Sequence, residues 1–214
     1  LNRLIVPSPV YDVEEMFVDS TIPMPLQLQC HSSPQWIDAV LADFDPFLLD
    51  HAANEKKASG VAMNLAAHYP DKPELVAEMI DLAIEELSHY RDVFKLIRER
   101  QLTIPPDQKD PYVNQLRALI RKGTEYYFLD RLLVAGIIEA RGLERFTCIA
   151  DALPMGKLKG FYVAIARSEA RHADLFLSLA QQYFDPNAIT TRLETLLTQE
   201  ANLLENLPVR AALH

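Results

Sequence analysis

Two short stretches of this chain pair a glutamate with a histidine three positions later, Glu86 with His89 in "ELSH" and Glu169 with His172 in "EARH". Residues at that interval share one face of a helix, so each motif offers a carboxylate oxygen and an imidazole nitrogen side by side. With 15 glutamates and 6 histidines among 214 residues, chance supplies about 0.4 such motifs, and two of them alone would decide little. The intervals add more. Glu55 stands 31 positions before Glu86, and Glu139 stands 30 before Glu169. The chain therefore reads twice as a lone glutamate followed, one helix later, by Glu-x-x-His, which is the pattern of a duplicated half-site.

Brought together, the two halves supply four carboxylates and two imidazoles. Four unpaired carboxylates in a low-dielectric interior would cost many kcal/mol, because a buried charge is strongly penalised unless partners neutralise it. Two divalent cations would neutralise them fully. Mixed oxygen and nitrogen ligation suits iron or manganese, whereas structural zinc prefers thiolates. A single glutamate on a helix is ordinarily a solvated surface residue; these four instead fall inside apolar stripes.

The elements that must carry them follow from the helical period. Residues 1–32 hold Pro7, Pro9, Pro23 and Pro25 without a sustained period, and read as an irregular lead-in with one short helix near Val13 to Val18. Ser33 and Pro34 form a cap-and-proline start for a long helix whose stripe runs Ile37, Leu41, Phe44, Leu48, Ala52, Glu55, Ser59, Ala62 and Ala66. A second helix is expected from about Pro73 to Arg100, bearing Met79, Leu82, Glu86, Val93 and Ile97 on one face. Asp110 and Pro111 repeat the start signal for a third, through Phe128, Leu132, Glu139 and Phe146. After the break "ALPMGK", a fourth carries Ile165, Glu169, His172 and Phe176, and Asp185 with Pro186 opens a fifth. The reading is an all-α four-helix bundle over 34–183 with a polar site at its centre and an additional C-terminal helix over 186–206, in one domain spanning 1–214.

Composition agrees. Glycine is scarce, at 6 of 214 residues, which suits helices rather than a turn-rich β protein. The absence of a long apolar run or an amino-terminal leader pattern predicts a cytoplasmic protein with no membrane contact. Cys30 and Cys148 lack any CxxC partner and read as free thiols. The net charge of −9 argues against nonspecific nucleic-acid binding, which draws its affinity from Lys and Arg.

The order Glu55, Glu86 with His89, Glu139, Glu169 with His172 resembles the ferritin-like carboxylate-bridged di-iron proteins. That resemblance implies two iron ions, bridged by Glu86 and Glu169, with Glu55 and His89 completing one shell and Glu139 and His172 the other. The segments "DHAANEKKASG", "KDPYVNQL" and "DRLLVAGIIEARGLERF" are similar to the tRNA hydroxylase family called MiaE. Membership implies hydroxylation of the isopentenyl side chain of 2-methylthio-isopentenyladenosine in tRNA, with dioxygen as co-substrate, an external electron donor and an electron-transfer partner.

Small residues beside the glutamates, Ala58, Ser59, Ala135, Gly136 and Gly142, suggest room for oxygen or an isoprenoid tail, with close helix packing as the alternative. Candidate phosphate contacts are Lys56, Lys57, Arg117, Arg121, Lys122, Arg141, Arg145, Lys157 and Lys159, each of which could equally belong to a solvated face. Tyr126, Tyr127 and Phe128 read as base-stacking or packing, Tyr90 as redox-active or core, and His51 as a ligand's partner or an ordinary buried histidine. An iron-storage protein, a peroxide reductase and a di-iron oxygenase acting on a quinone or a fatty aldehyde are the competing classes; the absence of CxxC weighs against the reductase, and the last could share every ligand.

Overall fold

The computed structural model describes residues 26–214, so the short helix expected near Val13 to Val18 lies outside the described residues. Among the described residues there are seven helices and no strand: α1 Pro34–Ala42, α2 Phe44–His68, α3 Pro73–Glu99, α4 Pro111–Ala118, α5 Thr124–Ala152, α6 Lys157–Tyr183 and α7 Pro186–Asn206.

Two expected helices are each divided. The first breaks at Asp43, whose φ of −143° and ψ of 86° leave the helical region. Pro46 explains this. In an unbroken helix its missing N–H would orphan the Ala42 carbonyl and its ring would collide with it, whereas in the first turn of a new helix neither penalty arises. The third breaks at Gly123, where φ of +109° is a conformation that L side chains rarely adopt. Capping follows the sequence only in part. Asp110 accepts from the Val113 N–H and Asp185 from Asn187 and Ala188, but Ser33 makes no side-chain cap bond.

The four long helices form two hairpins. Short connections at 69–72 and 153–156 fold α2 against α3 and α5 against α6 as antiparallel neighbours. The apolar stripes are interrupted at mid-height. Leu65, Met79, Leu132 and Phe176 belong to one buried cluster, Phe47, Phe146, Tyr162 and Ile165 to another, and Leu48, Val93 and Ile97 to a third. The four glutamates lie between them along the helices.

α7 is fastened by buried charge. The Arg141 guanidinium donates to Glu200 of α7 (Nε to Oε1, 2.9 Å) and to the Cys30 carbonyl at 3.0 Å, and the Tyr112 hydroxyl donates to the same Glu200 oxygen at 2.9 Å. Arg141 and Glu200 are both fully buried. Asp130 is likewise held from two sides, by Arg121 and by Arg192 of α7, each at 2.7 Å.

Candidate metal centre

Each proposed ligand comes from a different one of the four long helices or from a Glu-x-x-His pair: Glu55 on α2, Glu86 and His89 on α3, Glu139 on α5, Glu169 and His172 on α6. Their side chains converge in two overlapping groups, Glu55, Glu86, His89, Glu169 and Glu86, Glu139, Glu169, His172, with the candidate ligand atoms of each group within 4.8 Å of one another. Glu86 and Glu169 belong to both groups, which is the arrangement two neighbouring cations bridged by two carboxylates require. His89 Nδ1 lies 3.4 Å from Glu55 and 3.6 Å from Glu86. His172 Nδ1 lies 2.9 Å from Glu86 and 3.6 Å from Glu169.

The donor set fits metal ions on chemical grounds. Glu86 Oε1, His89 Nδ1 and His172 Nδ1 are buried and have no hydrogen-bond partner among the described residues, and polar atoms so placed are rare in folded proteins unless something binds them. Their electrostatics point the same way. Burial would lower the two imidazoles, yet Glu55 and Glu86 raise His89 to about 10, and Glu169 and Glu86 raise His172 to about 12. Burial and the charges of Glu169 and Glu86 push the Glu139 carboxyl well above its usual range, and burial also raises Glu86. A cluster that drives both imidazoles to hold protons, and the Glu86 and Glu139 carboxyls to keep theirs, is short of positive charge.

One glutamate behaves differently. Burial would raise Glu55, but the hydrogen bond with His51 and the nearby His89 ring bring it down to about 2. His51 is fully buried; its Nε2 lies 2.6 Å from Glu55 Oε1 and its Nδ1 3.3 Å from the Tyr162 hydroxyl. His51 is thus paired with Glu55, a candidate ligand, and is not an isolated core histidine.

A cavity of about 570 Å³ opens directly above these carboxylates. Glu55, Glu86, Glu139 and Glu169 form its floor, Leu65, Leu82, Val134, Ile138, Phe146 and Phe176 its apolar wall, and Lys57, Lys109, Arg117 and Arg131 its solvent side. Ala58, Ala135 and Gly142 line it as expected. Gly136 does not. A Cβ there would meet Phe176 Cβ at 3.3 Å and the Ala173 carbonyl at 3.6 Å, so this glycine serves the close approach of α5 to α6. Ser59 is buried away from the lining.

The expected phosphate contacts divide sharply. Arg141 and Arg145 are buried and are corrected to structural residues, Arg141 through Glu200 and Arg145 through the Ser32 hydroxyl and the Trp36 ring. Arg121 is engaged with Asp130, and Lys159 donates to the Ala150 carbonyl at the end of α5. Lys56 pairs with Asp107 at 2.7 Å. Lys122 and Lys157 are exposed and do not line the cavity. Lys57, whose Nζ donates to the Gln108 carbonyl at 2.8 Å, and Arg117 line the cavity, joined there by Lys109 and by Arg131, which donates to Asn64 at 2.7 Å; sequence reasoning missed the last two. Arg131 had a signal, since it lies eight positions before Glu139 on the same helical stripe. Of the aromatic run, Phe128 packs against Tyr69, Tyr183 and Phe184. Tyr126 lies under Arg121 and Tyr127 lines the cavity. Tyr90 packs beside Phe94 in the third apolar cluster.

Residues 20–214 match the sequence profile of the family described as tRNA-(MS[2]IO[6]A)-hydroxylase (MiaE). The chain belongs to the MiaE family. It is 35% identical over 179 residues, 84% of this chain and 87% of the relative, to the tRNA 2-(methylsulfanyl)-N(6)-isopentenyladenosine(37) hydroxylase of Pseudomonas putida. It is 31% identical over 131 residues to the hydroxylase of the same description from Salmonella typhimurium, covering 61% of this chain and 48% of that one. In three dimensions it is similar to a protein from Synechococcus described as having aldehyde deformylating oxygenase activity, with a TM-score of 0.83, 35% identity, and coverage of 87% of this chain and 94% of the other. The ferritin-like bundle of this MiaE-family member is therefore shared with an oxygenase. Among the described residues no helix is long and apolar enough to cross a membrane.

Proposed function

We propose that this chain is a dioxygen-dependent monooxygenase that hydroxylates the isopentenyl group of 2-methylthio-isopentenyladenosine in tRNA, working in the cytoplasm as a single domain. The observation that carries this reading is the cavity itself. It joins a floor of four carboxylates to an apolar wall and then to the cations Lys57, Lys109, Arg117 and Arg131 at its solvent side. A prenyl chain matches the wall, and a nucleotide with its flanking phosphates matches the cations.

Two iron ions are the metals best suited to this oxygen and nitrogen set. Glu86 and Glu169 would bridge them; Glu55 and His89 would complete one coordination shell, and Glu139 and His172 the other. When bound, the pair supplies the activation of dioxygen, in which a C–H bond, O2, two electrons from an external protein donor and two protons become C–OH and water. The chain's own contribution is to hold and shield. Phe146, Phe176, Leu82 and Val134 exclude water from the prenyl group, and Gly142, without a side chain, leaves space beside Glu169.

A second reading, an oxygenase acting on an aliphatic aldehyde, draws support from the Synechococcus neighbour. An aldehyde tail would occupy the same apolar wall but offers nothing to four cations. An iron-storage role fits the carboxylates but not an apolar cavity above them. The deciding experiment incubates hypomodified tRNA aerobically with iron-loaded protein and a reductant, followed by mass spectrometry of the nucleosides. A gain of one oxygen on the isopentenyl nucleoside is expected. No gain with both irons present and reduced removes the assignment, and turnover of a long-chain aldehyde in its place would establish the second reading.

A further inference from the structure

Glu85 adjoins the proposed ligand Glu86 in sequence, yet its carboxylate lies on the far side of the histidines from the cavity. Glu85 Oε2 is 3.3 Å from His172 Nε2, and Oε1 is 4.0 Å from His89 Nε2. The inner nitrogens of both rings, Nδ1, face the carboxylate cluster. His172 Nε2 is buried and makes no hydrogen bond among the described residues, Glu85 Oε2 at 3.3 Å being the carboxylate that faces it. Glu85 is itself held: the Ser168 hydroxyl and the Arg171 guanidinium both donate to Oε1, and Arg171 also donates to Ser168 at 3.1 Å.

An imidazole that gives one nitrogen lone pair to a cation must carry its proton on the other nitrogen, and which nitrogen is free is set by what the protonated one meets. We propose that Glu85 is a positioning residue for both histidines: it accepts from His172 Nε2–H, stands opposite His89 Nε2, and so fixes both rings with Nδ1 turned toward the metals. This rests on the two-metal reading above.

The duplicated pattern makes the assignment specific. Each half-site has one residue immediately before its Glu-x-x-His, Glu85 in the first and Ser168 in the second. A second carboxylate at 168 would face Glu85 across the bundle as a like charge. Serine instead donates to it, so a single outer carboxylate serves both halves, and it reaches across to the histidine of the other hairpin, 87 positions away in sequence. The half-sites are therefore unequal on their outer side although their ligands repeat.

The test uses the full chain stripped of metal and titrated with Co(II), read by visible absorption, binding stoichiometry and affinity, with no tRNA involved. Glu85→Ala is expected to weaken Co(II) at one or both positions by about 10- to 100-fold and to alter the ligand-field bands. Glu85→Gln, whose amide oxygen still accepts from Nε2–H, should retain most of the affinity. Arg171→Gln, which removes only the half-exposed ion pair, should bind like the unaltered protein. If the alanine variant does not fold, Glu85→Met removes the acceptor while keeping bulk. Two Co(II) ions bound to Glu85→Ala with unaltered affinity and spectrum would overturn the proposal, as would a loss in Arg171→Gln equal to that in Glu85→Ala. Failure of the unaltered protein to bind two ions would instead count against the two-metal reading itself.

Discussion

His51 Nε2 stands 2.6 Å from Glu55 Oε1, four residues along the same helix, with both side chains buried. Burial and the Glu55 charge push the Tyr162 phenol above its usual range, so it keeps its proton and donates to His51 Nδ1, leaving Nε2–H to donate to Glu55. Glu55 thus enters the cluster already oriented, at the end of a chain of three buried side chains from α2 and α6. His51→Leu should weaken metal binding at the Glu55 position by about 10- to 100-fold, read by Co(II) titration. Tyr162→Phe should cost about 1 kcal/mol in urea unfolding, the net value of one hydrogen bond, with metal binding nearly retained. Equal metal affinities in the unaltered protein and His51→Leu would show that Glu55 needs no such support.

Gly142 tests the cavity. A Cβ at this position meets Glu169 Oε2 and Phe146 only at ordinary contact, 3.8 Å each, so Gly142→Ala should retain two metals and most activity. Gly142→Leu projects its bulk into the space above the floor and should lower tRNA hydroxylation by at least about 100-fold at unchanged metal content. Full turnover by the leucine variant would mean that substrate does not enter here.

Arg117 and Arg141 should separate cleanly. Arg117 is exposed at the cavity, so Arg117→Ala should weaken tRNA binding and reduce the slope of log affinity against log salt by about 1. Arg141→Ala should leave that slope unchanged but destabilise the fold by about 3 to 5 kcal/mol, because Glu200 would be left buried without its partner. Filter-binding at several salt concentrations and urea melts measure the two effects; a flat salt response in the unaltered protein would reject the phosphate role.

Asp110 sets an acid limit. Burial would raise its carboxyl, but His214, whose Nδ1 lies 3.5 Å away, and the Val113 N–H hold it down to about 2. A carboxyl lowered in the folded state stabilises at pH values above its unfolded pKa of 3.8, and that stability is lost as pH falls through the folded value. The contribution is roughly 2 kcal/mol, present above about pH 4 and fading toward pH 2. Asp110→Asn should therefore be less stable than the unaltered protein at pH 6, and the gap in unfolding free energy should narrow as pH falls through this range. A gap independent of pH would assign the whole effect to the α4 cap.

What was legible in the chain was what the helical period controls. The intervals of Glu86 to His89 and Glu169 to His172, and the apolar stripes that hold Glu55 and Glu139, repeat locally, so backbone geometry alone puts each pair on one face. The breaks at Asp43 and Gly123 were local too, and the first was masked by an apolar stripe, Leu41, Phe44 and Leu48, that runs across Pro46.

The sequence by itself determined which six side chains could meet and that their meeting would demand cations. Only the tertiary structure decided what surrounds them: that His51 and Tyr162 support Glu55, that Glu85 turns from its own helix to His172, and that Arg131 and Lys109 reach the cavity while Arg141 is buried against Glu200. The physical reason is that a long charged side chain is as compatible with solvent as with a buried partner. Its fate is set by whether an opposite charge arrives from another helix, and no local pattern in the sequence records that arrival.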